Sequence, residues 1–116
     1  MRLDRLLGKS KYAILQMDSI IASAEVTYLQ GTPGQPDYHE DPLACMDLLR
    51  DMSQWVSTRD KTSVGYTCSI MIVEEGYSVL VTDPHSAEII DITQRDLTQA
   101  CLQAYLLTMW IRGQQR

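Results

Sequence analysis

Residues 94–112 read QRDLTQACLQAYLLTMWIR, and how this stretch is read decides the fold. It is free of Pro and Gly and predicts a helix, Gln94–Arg112. Leu97, Ala100, Cys101, Ala104, Leu107, Thr108 and Ile111 fall at i, i+3, i+4, i+7 spacing on one face. Leu102, Tyr105, Leu106, Met109 and Trp110 make a second apolar stripe. A surface helix on one core needs a single stripe. Two stripes predict two burial partners: the chain's own core and, most simply, another copy of the chain. Tyr, Met and Trp are also residue types enriched at interfaces.

Outward from this helix, the preceding residues predict a small sheet. Tyr66, Cys68, Ile70 and Ile72 alternate with Thr67, Ser69, Met71 and Val73, and Tyr77, Val79 and Val81 alternate with Ser78, Leu80 and Thr82. Glu74-Glu75-Gly76 supplies a turn between them, and Asp83–Ser86 another. Ala87–Ile92 is a third, shorter strand, so the three form an antiparallel meander. Met71, Val73 and Leu80 stand on what should be the sheet's polar face, which predicts partial cover on both faces. Thr93, followed by Asp96 three residues on, is the expected N-cap of the last helix.

Two helices come first. Ile14, Met17, Ile21, Ala24 and Tyr28 share a face, with Ile20 beside them, from Tyr12 to a stop near Gly31. Residues 30–41 hold two Gly and two Pro and form a long loop. Asp41 as N-cap and Pro42 at the first helical position then open a helix carrying Cys45, Leu48, Leu49, Met52, Trp55 and Val56 on one stripe. The order is helix-loop-helix-strand-strand-strand-helix. The expected fold is α+β: a small antiparallel three-stranded sheet with helices packed on it, an α-β-α sandwich.

The chain has 116 residues, one domain's length. Its expected organisation is a basic N-terminal segment 1–11, a single domain 12–112 and a polar tail 113–116. Net charge is −5, unevenly spread. Arg2, Arg5, Lys9 and Lys11 against Asp4 give +3 at the start, Arg112 and Arg116 give +2 at the end, and the body between carries −10. Such a body repels a phosphate backbone, which argues against duplex nucleic acid. No apolar run approaches the length that spans a bilayer, and no membrane partner is expected. Cys45, Cys68 and Cys101 are widely spaced, with no C-x-x-C pair. They read as small buried hydrophobes in a reducing compartment, so the expected location is the cytoplasm.

Four segments together resemble a known family. They are Met17–Val26 (MDSIIASAEV), Tyr38–Ala44 (YHEDPLA), the Tyr77–Thr82 strand after a Gly turn, and Asp91-Ile92-Thr93 followed by Ala100–Ala104 (ACLQA). Across residues 12–107, in this order, they resemble small phage-encoded proteins with a phage ABA sandwich domain. The resemblance implies helices sandwiched around a sheet, a phage or prophage origin and, for this chain, a host-cell cytoplasm. It implies no catalytic residues.

Asp37, His39, Glu40 and Asp41 are residue types that hold hard or borderline metals, but Asp41 is better explained as a cap, and no metal or cofactor is expected. With Tyr38, the loop residues Asp37, His39 and Glu40 are candidates for contact with a partner. Asp83, His85 and Ser86 lie too close in sequence for triad geometry, and no nucleophile elbow, P-loop or dinucleotide motif is present. Arg59, Lys61, Tyr66 and Tyr77, near Trp55, are candidates for a basic-aromatic nucleotide site. The leading expectation is a non-enzymatic phage accessory protein, self-assembled through Leu102, Tyr105, Leu106, Met109 and Trp110, that binds a host protein stoichiometrically to counter a defence system. The alternatives are an oligomeric sponge for a nucleotide immune signal, and a structural phage protein without inhibitory role.

Overall fold

A computed structural model of the chain describes residues 11–29, 34–54, 65–83 and 88–114. The elements are α1 (Lys11–Leu29), α2 (Pro42–Met52), β1 (Thr67–Val73), β2 (Gly76–Thr82), β3 (Glu88–Gln94) and α3 (Leu97–Gln114). This is the expected α+β order around an antiparallel sheet, β1-β2-β3. Gly31, Trp55, Val56, Pro84, His85, Ser86 and Ala87 lie outside the described residues, as does the basic segment 1–10.

The hairpin follows from its turn. Val73 pairs with Gly76 across the two-residue loop Glu74-Glu75, and the register runs unbroken to Thr67–Thr82. Gly76 has φ +136°, and a Cβ there would collide with the carbonyl oxygen of Gln94, so only glycine fits beside the end of β3. Between β2 and β3 the register slips: Val81 pairs with Ile90, but Thr82 pairs with Glu88. Ile89 is the extra residue of this bulge, which is how both Ile89 and Ile90 come to be buried despite standing side by side in sequence.

The sheet's inner face is Val79, Val81, Ile90 and Ile92, all buried, and α3 packs on β2 and β3. Helices α1 and α2 pack on the other flanks of α3. Ala24 and Leu29 of α1 are buried, and Gly113 of α3 lets the Tyr28 hydroxyl approach, since a Cβ there would lie 3.1 Å from it. Helix α2 also anchors the start of β1: the Tyr66 N–H donates to the Met52 carbonyl at 3.0 Å, and Cys68 Sγ lies 4.0 Å from the Leu49 carbonyl on the inner face. Helix α3 is therefore the layer with structure on several sides. The sheet's other face shows Ser69, Met71, Asp91 and Thr93 to solvent.

The start of α3 differs from expectation. Thr93 is not its cap but a strand residue paired with Ser78. Asp96 is the cap: its Oδ1 accepts from the Thr98 N–H at 2.9 Å and its carbonyl from the Ala100 N–H at 3.0 Å. Ile92 carries the ladder through to Gln94, and the first acid beyond it then takes the free amides. Within α3 the buried Thr108 hydroxyl donates to the Ala104 carbonyl at 2.7 Å, which satisfies it inside an apolar core.

Candidate functional site

The second stripe of α3 is the first candidate. Leu102 is 1% exposed, Tyr105 9% and Leu106 0%, all covered by their own chain. Met109 and Trp110 are half-buried and packed against the same core. Leu102, Tyr105 and Leu106 therefore leave little surface for a second copy, whereas Met109 and Trp110 keep part of theirs. Within its own chain α3 has two sets of packing partners, the sheet strands β2 and β3 and the helices α1 and α2. Burial also pushes the Tyr105 phenol above its ordinary range, as it does that of Tyr66.

The Asp37–Glu40 loop is organised by its own backbone. The N–H groups of Glu40 and Asp41 both donate to the Asp37 carbonyl at 3.0 Å, and the His39 N–H donates to Asp37 Oδ1 at 3.2 Å. Asp41 caps α2, its Oδ1 accepting from the Ala44 N–H at 3.2 Å. Tyr38 is half-buried, and its carbonyl accepts from Cys45 Sγ at 2.9 Å. His39 Nε2 meets Glu25 Oε1 at 2.5 Å, tying the turn to α1. The acids and the histidine thus form a turn that delivers the chain into α2. Among the described residues, no three His, Cys, Asp or Glu side chains gather into a metal-holding group.

Of the nucleotide constellation, Tyr66 and Tyr77 are described, and they stand apart. Arg59 and Lys61 lie outside the described residues, as does Trp55. Tyr66 precedes the open end of the β1–β2 hairpin, whereas Tyr77 pairs with Ile72 beside its turn. Six strand residues separate the two positions, about 20 Å at the usual rise. Tyr66 is moreover buried. The two tyrosines cannot stack on one base.

The thiols are shielded. Burial is the main cause that pushes Cys45 up to about 12, with lesser contributions from Cys101, Asp41 and Asp96. Burial likewise raises Cys68 and Cys101, each to about 11. A neutral, enclosed thiol is a poor nucleophile, and these serve as small apolar side chains.

Among the described residues, the one unbroken run of exposed large apolar side chains is in β1. Ile70 is 38% exposed, Met71 48% and Ile72 86%, three consecutive residues. Leu43, Val26, Tyr28 and Met46 are also exposed, at 71%, 60%, 38% and 36%, but they lie on the helices and no two are consecutive in sequence. Strand β1 is the edge of the sheet, paired on one side with β2. Because Val73 and Gly76 close a two-residue loop, they form a hydrogen-bonded pair. The N–H and C=O groups of Val73, Met71, Ser69 and Thr67 therefore turn toward β2. Those of Ile72, Ile70 and Cys68 turn outward, and among the described residues no strand meets them. Apolar side chains thus flank an open row of donors and acceptors. Met71, Val73 and Leu80 predict partial cover of the sheet's outer face, yet Met71 is 48% exposed there. The missed signal was that TCSIMIV has no charge and no proline, the devices that usually guard a sheet edge.

Comparison with protein-family models, with curated proteins and with solved structures gives no match.

Proposed function

We propose that this chain is a non-enzymatic protein that works by stoichiometric binding, and that the outer edge of β1 is its binding surface. The observation that carries the reading is Ile70-Met71-Ile72, exposed on an edge whose backbone groups point outward. Strand addition draws affinity from main-chain hydrogen bonds and specificity from alternate side chains, and β1 offers both. The fold itself does not name the partner. The resemblance to phage ABA sandwich proteins supplies the setting: a phage accessory protein in the host cytoplasm, capturing a host defence protein. No helix among the described residues is long and apolar enough to cross a membrane, which is compatible with that setting.

The test is affinity capture from phage-infected cells with three tagged forms: wild type, Ile72→Lys on the edge and Leu43→Lys away from it. The reading expects a partner held at near one-to-one yield by wild type and Leu43→Lys and lost with Ile72→Lys. Equal recovery with a folded Ile72→Lys protein would remove β1 from the binding surface.

A further inference from the structure

We infer that, when no other partner is bound, two copies of this chain pair antiparallel through β1 about Ile70, joining two three-stranded sheets into one of six. This rests on the reading of β1 as a binding edge and names what occupies it.

Hydrogen-bond parity comes first. The outward-facing residues of β1 are Cys68, Ile70 and Ile72, as the hairpin register dictates. A two-fold axis at Ile70 sets Ile70 opposite Ile70 of the partner subunit, and Ile72 opposite Cys68 of the partner subunit. Outward groups then meet outward groups along the whole strand, forming roughly six new hydrogen bonds at two per bonded pair. A register displaced by one residue would oppose outward groups to groups already bonded to β2. A register displaced further along leaves part of the strand unpaired.

Charge selects the same arrangement. The chain carries a net −5, so most of its surfaces repel their own copy, yet Thr67–Val73 has no charged residue. The nearest acids in sequence, Glu74 and Glu75, lie in the turn beyond Val73 and outside the paired strands, so no acid stands directly across from another. Like charges directly across a strand pair are destabilising, and this register has none.

Side-chain burial agrees. Ile72, 86% exposed, gains a cross-strand neighbour on the side where, among the described residues, no strand stands. An edge of this length buries on the order of 1,000 Å² in total, at the small end of specific interfaces. The dimer is accordingly a reversible one. It also keeps the edge from open-ended pairing until a partner displaces the second copy.

The experiment is sedimentation velocity from low micromolar to near millimolar concentration, with residue-resolved amide exchange at both ends. The mass is expected to rise from one chain of 13.2 kDa to twice that. Ile70 and Ile72 amides are expected to gain at least tenfold protection with concentration. Ser69 and Met71 amides, bonded to β2 in either state, should not change. Ile70→Lys places two ammonium groups face to face on the axis and should leave a folded monomer, with Leu43→Lys unaffected. A mass of one chain at every concentration would overturn the inference, as would a dimer that persists in folded Ile70→Lys. A monomer that still loses its captured partner on Ile72→Lys would overturn the pairing while leaving the binding reading intact.

Discussion

Replacing Leu106 with alanine separates an intramolecular core from an intersubunit seam. Leu106 sits in the middle of α3 with no exposed surface. The substitution removes three carbons, worth about 2.4 kcal/mol of transfer free energy at about 0.8 per methylene. Sheet, α1 and α2 hem in the site and limit its collapse, so a cavity term adds to this. The expected total is about 3–4 kcal/mol, inside the usual range for buried leucine truncations. A chain of 116 residues has an unfolding entropy near 0.24 kcal/mol/K, so Tm should fall by roughly 12–16 °C. Urea and thermal melts followed by circular dichroism, at two protein concentrations a hundredfold apart, make the measurement. The loss should be the same at both. A loss below about 1 kcal/mol, or one that depends on concentration, would refute the burial of Leu106 within its own chain.

Other perturbations read other parts of the fold. Asp41→Ala and Asp96→Ala each delete a cap bond, and each should cost about 1 kcal/mol in urea melts. Gly76→Ala should cost more, about 2 kcal/mol, because it combines an unfavourable φ with a collision against the Gln94 carbonyl; a neutral result would contradict the β2–β3 register. Glu25→Gln breaks an exposed pair with His39 and should change stability by less than about 0.5 kcal/mol. For the thiols the sign is definite. Their folded values, about 11 to 12, lie above the ordinary 9, so the folded state holds its protons longer. The stability this contributes is full below pH 9 and is lost as pH climbs from 9 toward 11–12. Urea midpoints should hold steady up to pH 9 and fall above it, and Cys45 and Cys101 should react with a thiol reagent at neutral pH only on unfolding.

Much of this structure is written in local sequence. Asp41-Pro42 opens α2 because a carboxylate accepts the free amide and proline needs none. Glu74-Glu75-Gly76 closes the hairpin because glycine alone tolerates the required backbone. Alternation over Tyr66–Thr82 and the i, i+3, i+4 stripes of the helices place the strands and the inner faces, since side-chain periodicity is a property of each element by itself. Competition between elements was less legible. Thr93 has the makings of a cap, but pairing with Ser78 kept it in the strand, and that pairing is decided by a residue fifteen positions earlier.

The candidate site shows the same division more sharply. That α3 is apolar on two faces is a fact of sequence. What lies against the second face is a matter of packing, and α1 and α2 supply it. Tyr66 and Tyr77 look like neighbours in a list of aromatics, yet a hairpin puts them at opposite ends of its length. Conversely, Ile70 and Ile72 read as ordinary inward residues of a strand, and only the position of β1 at the sheet's rim leaves them in water. Sequence determined which faces are apolar, because hydrophobicity belongs to the residue. Tertiary structure decided which of those faces are already covered, because burial depends on what the rest of the chain brings alongside.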